Sequence, residues 1–182
     1  MRERVSTILC FVFFSLFINI KSLQAQDTIS METRSMNKII HLSTILHCNA
    51  QRAFKLFTND TLLKSWLANE AEVESVTGGK YELFWDPSDR VNNSTIGCKV
   101  TAVEQNKFIA FEWRSPKQFK HFANNADPLT HVVVFFTPEE NSTQVTLIHS
   151  GWRSSTEWEE ARQWQVKAWN SAFEQLRKTI NQ

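Results

Sequence analysis

From Trp158 to Ile180 the apolar residues return at intervals of three or four. Trp158, Ala161, Trp169, Ala172, Phe173, Leu176 and Ile180 form one stripe, broken only by Gln165. That spacing predicts one face of a long helix. Glu159, Glu160, Arg162, Lys167, Glu174, Arg177 and Lys178 occupy the other positions and suit a solvated face. Ser154, Ser155 and Thr156 offer an N-cap, and Glu157 and Glu159 fall in the first turn, where the helix dipole favours anions. A helix of roughly 25 residues is ~37 Å long, so its apolar stripe needs a cover.

The upstream pattern supplies one. Lys38 to His47 is rich in β-branched residues and predicts a strand. Asn49 caps a helical stretch from Ala50 to Thr58, with Phe54 and Phe57 along one side, and Asn59-Asp60 opens a second short helix. Ala71 to Val76 alternates weakly and predicts a strand. Gly78-Gly79 marks a tight turn. Beyond it Tyr81, Leu83 and Trp85 share one face, opposite Lys80, Glu82 and Phe84. Further strands are expected at Thr95 to Val103, Phe108 to Arg114, Thr130 to Phe136 and Thr143 to Ser150. Ser115 to Leu129 reads as a long irregular insertion. Strands cluster and helices segregate, which predicts an α+β domain. A curved antiparallel sheet gripping the terminal helix buries both apolar faces and leaves a space between them.

The N-terminus has a different grammar. Arg2 and Arg4 form a basic head, Val5 to Ile20 is nearly unbroken apolar sequence, and a small residue stands at Ala25. This predicts a signal peptide over residues 1–25 and export after cleavage at Ala25; an uncleaved anchor is the alternative. The membrane is expected to matter only through this segment. Residues 26–37 read as a linker and 38–182 as the domain. The chain carries a formal net charge of +1, which falls to about −1 without residues 1–25, so nothing favours nucleic acid. Past the signal, Cys48 and Cys98 remain: either a disulfide or two small buried hydrophobes.

The five histidines include no His-x-x-x-His pair, and there is no Cys-x-x-Cys, so no metal or other cofactor is expected. Alternation places His149 on the inward face with Val145 and Leu147. There it either orients a ligand or acts as a general base, or it is a buried imidazole bonded to a carbonyl. Seven tryptophans in one small domain are many. Trp66, Trp85, Trp113, Trp152 and Trp169, with Tyr81, His149 and Gln165, are the candidates to line a ligand pocket; ordinary core packing is the alternative for each aromatic. Glu112 and Arg114 lie opposite Trp113 and read as solvated, unless sheet curvature brings one to the cavity mouth.

Several pieces together resemble a known family. They are His47 to Thr58, Leu63-Lys-Ser-Trp66, Gly78-Gly79-Lys80-Tyr81, Gly97 through Arg114, Leu147 to Trp152, and Trp158 to Trp169. In order and spacing they resemble the START/Bet v 1-like superfamily, in its branch related to the C-terminal domain of the Hsp90-ATPase activator Aha1. The resemblance spans about residues 39–180. It implies a helix-grip fold, with two short helices after the first strand and a long C-terminal helix held by the sheet. It implies one of three functions: binding a small hydrophobic molecule beneath that helix, contacting a protein partner as a chaperone-type factor, or turning over a hydrophobic substrate with His149 as acid or base. The signal peptide and the long Ser115–Leu129 segment depart from that branch.

Overall fold

The structure, a computed structural model, describes residues 38–180. The signal peptide and linker expected over residues 1–37 lie outside them. Strand β1 (Ile40–Leu46) leads through Asn49 into helix α1 (Ala50–Thr58), and Asn59 leads into helix α2 (Asp60–Leu63). Both asparagines cap by the same means: Asn49 Oδ1 accepts the Arg52 N–H at 2.9 Å and Asn59 Oδ1 the Leu62 N–H at 3.1 Å. Strands β2 (Glu70–Val73), β3 (Tyr81–Phe84), β4 (Val100–Glu104) and β5 (Phe108–Trp113) follow. A 3-10 turn (Lys117–Phe119) and the short helix α3 (Lys120–Ala123) precede β6 (Thr130–Pro138), β7 (Thr143–Ser150) and helix α4 (Thr156–Ile180).

Five strands form an antiparallel sheet in the order β1-β7-β6-β5-β4, and β2 and β3 form a separate two-stranded ladder. That ladder is stitched to the β4 edge by Tyr81 N–H to Cys98 O at 2.9 Å and Val100 N–H to Gly79 O at 2.8 Å. The inward side chains of β5, β6 and β7 include Ile109, Phe111, Val132, Val134, Val145 and Leu147, all buried. Helix α4 lays Trp158, Ala161, Gln165, Trp169, Phe173 and Leu176 against this interior, as the spacing of its stripe predicts. Phe57 of α1 ties the layers together, edge-on to Trp66, Phe136 and Phe173. Burying a large apolar side chain of this kind contributes about 1.5–3 kcal/mol.

Two sequence expectations are corrected. Where a strand is expected over Thr95–Val103, the regular strand runs from Val100 to Glu104, preceded by an isolated bridge at Lys99. Before it, Gly97 adopts φ +81° and Cys98 N–H closes a turn onto Thr95 O at 2.9 Å. Thr95 still pairs with β3, by main chain and side chain: its N–H donates to Leu83 O at 3.0 Å, and its Oγ1 accepts from Leu83 N–H at 2.8 Å and donates to Tyr81 O at 2.9 Å. The Ser115–Leu129 segment is more ordered than its composition suggests. Asn124 clamps it by accepting the Ser115 N–H at 2.7 Å and donating to Ser115 O at 2.9 Å. Phe119 and Phe122 then pack against Trp164 and Trp158 of α4, with ring centres 6.1 and 5.2 Å apart. Both cysteines are free, Cys98 buried with its thiol pushed up to about 12, chiefly by burial, and Cys48 partly exposed.

The paired glycines have separate jobs. Gly78 has φ +85° with open space around it. Gly79 is packed so closely that an added Cβ would collide with the Glu74 carbonyl and Cβ. In urea denaturation Gly78→Ala should therefore cost about 1 kcal/mol, from backbone conformation alone. Gly79→Ala should cost more, about 2–3 kcal/mol, because the Glu74 backbone must move. Equal costs would contradict this division.

Candidate functional site

Where α4 crosses the ends of β3 and β5, the chain encloses a cleft of about 570 Å³. Its space comes from a size mismatch along the helix. Ala168 and Ala172, one turn apart and therefore on the same face, line the cleft among the bulkier Trp164, Trp169 and Gln175 of the same helix. Five indoles surround it: Trp66, Trp85, Trp113, Trp164 and Trp169.

Four of these five have their N–H groups tied off behind the cleft. Trp66 Nε1 donates to Leu56 O at 2.9 Å and Trp85 Nε1 to Leu67 O at 2.7 Å. Trp113 Nε1 donates to Gln165 Oε1 at 3.2 Å, and Trp169 Nε1 to His149 Nδ1 at 3.1 Å. A buried indole whose N–H is satisfied by protein offers a neighbour mainly its ring carbons. The rings also brace one another, with Trp113 centred 5.7 Å from Trp85 and 4.7 Å from Trp169.

Of the eight residues singled out by sequence, Trp66, Trp85, Trp113, Gln165 and Trp169 line this cleft, whereas Tyr81, His149 and Trp152 do not. Tyr81 is fully buried, stacked on Phe111 at 3.6 Å, with its hydroxyl donating to Phe57 O at 3.1 Å. Trp152 donates to His149 O at 3.2 Å and packs edge-on to Trp158. Trp164 and Arg114 line the cleft and were not among the eight. Trp164 sits beside Gln165 at the margin of the apolar stripe, and Arg114 follows the last residue of β5.

His149 lies behind the cleft wall, with no exposed surface. Its Nδ1 accepts from Trp169, so in the neutral ring the proton sits on Nε2, which has no hydrogen-bond partner among the described residues. Burial, reinforced by the nearby His131, depresses its pKa to about 3. A general base must reach the proton it removes, and His149 instead spends its basic nitrogen holding Trp169. Among the described residues no group of three or more His, Cys, Asp or Glu could hold a metal ion, and no helix is long and apolar enough to cross a membrane.

The depressed pKa has a measurable consequence. An unfolded chain protonates this imidazole below its ordinary value of 6.5, whereas the folded chain keeps it neutral down to about 3. In that window the unfolded state binds the extra proton, so stability falls as pH drops, by at most ~1.4 kcal/mol per pH unit. Between about pH 6.5 and 5, above the range where unfolded carboxylates titrate, wild-type stability in urea should fall more steeply than that of His149→Gln. Parallel profiles would show that His149 titrates in the native state as it does in the unfolded chain.

No match was found among curated proteins. Solved structures share the architecture at low identity. A protein from Mesorhizobium loti is 19% identical with a TM-score of 0.63, covering 79% of this chain and 97% of its own. The Aha1 dimer from Colwellia psychrerythraea is 18% identical with a TM-score of 0.60, over 78% of this chain and 95% of its own. An HSP90 activator from Plasmodium falciparum is 19% identical with a TM-score of 0.60, over 79% of this chain and 96% of its own. Residues 47–181, most of the chain, match the family described as Activator of Hsp90 ATPase homolog 1-like protein, and the chain belongs to that family.

Proposed function

We propose that this domain binds a small, largely apolar molecule in the cleft between α4 and the ends of β3 and β5. The supporting observation is the ring of five indoles, four of which have their N–H groups already satisfied by protein. A core aromatic presents its ring to other side chains; these rings present theirs to a cleft of about 570 Å³. That size lies within the ~300–1,000 Å³ range of small-molecule sites. Each 100 Å² or so of apolar ligand surface buried there contributes about 2.5 kcal/mol at ~25 cal/mol per Å².

A second reading, contact with a protein partner, is favoured by the outer face of the sheet. Phe135 of β6 and Ile45 of β1 are each 40% exposed, and Phe108 of β5 packs beside Phe135. Some structures similar to this chain are described as an HSP90 activator and an Aha1 dimer. The two readings use opposite faces of the sheet, so one substitution separates them. Ala168→Phe fills the cleft without touching the outer face. It should reduce the affinity for the fluorescent probe phenylnaphthylamine by at least about ten-fold, since the ring takes up the volume the probe needs. Unchanged affinity in the folded variant would remove the cleft from the function.

Export belongs to the same reading. The basic head at Arg2 and Arg4, the apolar run from Val5 to Ile20 and the small residue at Ala25 support cleavage after Ala25. The intact mass of the protein from its native host should correspond to a chain that begins at Gln26. A mass that includes Met1 would make the segment an anchor.

A further inference from the structure

The cleft is not uniformly apolar. Gln165 Oε1 is taken by the Trp113 indole, which leaves the Gln165 Nε2 donors uncommitted among the described residues. Asn93 Oδ1 accepts the Lys117 N–H at 3.0 Å, which leaves its amide donors uncommitted as well. Ser94 Oγ donates to Arg90 O at 2.6 Å. Arg114 adds a guanidinium. Its Nε is buried without a hydrogen-bond partner, and it forms no ion pair among the described residues.

Two carboxylates lie near Arg114 without forming an ion pair to it. Glu82 and Glu112, which with Arg114 surround the Cys98 thiol, accept the backbone N–H groups of Gly97 and Lys99 at 2.8 and 3.0 Å. Asp86 is the one carboxylate on the lining; it is exposed, and its Oδ1 is occupied by the Ser88 N–H and hydroxyl. Gln118, Ser171 and Gln175 complete the polar lining, and Arg114 is its one cation among the described residues.

Arg114, Gln165 and Asn93 lie toward one end. Gln165 is bonded to Trp113, the chain neighbour of Arg114, and Asn93 is bonded to the segment just after Arg114. Trp66 packs against Phe173, more than two turns further along α4, which is ~12 Å at 1.5 Å per residue. The cleft therefore has a donor-rich end and an aromatic end.

Resting on the ligand-binding reading above, we infer that the cleft takes an amphiphile whose polar end is an anionic, acceptor-only group, a carboxylate or phosphate monoester. That head is met by the Arg114 guanidinium and by amide donors of Gln165 and Asn93, and the apolar tail runs toward Trp66. A guanidinium matches both heads through paired N–H donors. A hydroxyl head gains no charge, and a cationic head is repelled.

Dodecanoate, dodecyl phosphate, dodecanol and dodecyltrimethylammonium share one tail and differ in the head. Binding of each, at submicellar concentration, is read by the change in tryptophan fluorescence. At least one anionic amphiphile should bind the wild type about ten-fold or more tighter than dodecanol, with dodecyltrimethylammonium weakest. In Arg114→Gln that ratio should collapse to within about two-fold, and Arg114→Lys should restore part of it. Melting temperatures of both variants verify that the fold is kept. Equal binding of dodecanol and both anions would overturn the inference and leave the cleft-binding reading standing. A preference that survives Arg114→Gln would also overturn it. Binding of none of the four would overturn both.

Discussion

The middle of α4 is held to the sheet by two reciprocal hydrogen bonds, and the arrangement of the site depends on them. Trp169 on the helix donates to His149 on β7 at 3.1 Å; Trp113 on β5 donates to Gln165 on the helix at 3.2 Å. All four side chains are at most 3% exposed. The rest of the buried stripe, Trp158, Ala161, Phe173 and Leu176, is held by burial, which has no direction. Burial alone would tolerate a helix rotated or slid by a residue. A one-residue slip turns the stripe by about 100° and leaves two indole N–H groups without acceptors in the interior, at ~1–3 kcal/mol each. The polar pair thus selects one rotation among several that the apolar stripe alone would allow.

That rotation creates the cleft. With Gln165 and Trp169 turned to the sheet, Ala168 and Ala172 must face the gap beside β3 and β5, and they are too small to fill it. The gap lies where regular pairing also stops. The Thr95–Cys98 turn keeps β3 and β4 from joining as a continuous ladder, and Trp85, just past the end of β3, comes to the cleft. Helix register and sheet irregularity therefore act on the same spot. Nearby, Asn124 and the Phe119–Trp164 contact hold the Lys117–Phe119 turn against the helix, which closes one side.

Much of this was legible in the sequence, and what was not has physical reasons. Spacing identified the stripe of α4, including Gln165 as its polar break, because a helix in contact with one core repeats its burial every turn. The caps at Asn49 and Asn59 were legible because capping is local chemistry. Alternation correctly turned Tyr81 and His149 inward, but alternation reports a face and not a depth. Whether an inward residue reaches a cleft or the packed interior depends on the layer opposite, which lies far away in sequence. Arg114 reads as outward by alternation, yet it lies past the end of β5, where that rule no longer holds. Thr95 falls short of a strand residue because only its N–H pairs as in a ladder, donating to Leu83 O; its Oγ1 takes the Leu83 N–H, and its carbonyl turns to Cys98 N–H. The order in Ser115–Leu129 comes from the Asn124 clamp, from hydrogen bonds of Lys117 to Asn93 and of Arg153 to the Asp127 and Pro128 carbonyls, and from two aromatic contacts, none of which is periodic.

The choice of histidine at position 149 follows from the same constraint. Trp169 needs a buried acceptor that does not itself bring charge into the interior. A carboxylate would either stay ionised and desolvated, at several kcal/mol, or take up a proton and with it an O–H donor that needs its own acceptor. An imidazole in a dry site loses its proton instead, and here burial holds it neutral well below physiological pH. The residual cost is the unpartnered Nε2–H, packed among Trp113, Trp152 and Trp169. One unpaired neutral donor costs less than one unpaired charge. The contrast with Arg114 is then informative. Both residues carry a buried nitrogen without a partner, but His149 relieves the cost by being neutral. An arginine stays protonated at any pH a protein experiences, so Arg114, which is only partly buried, keeps its charge at the cleft, where an anionic group would meet it.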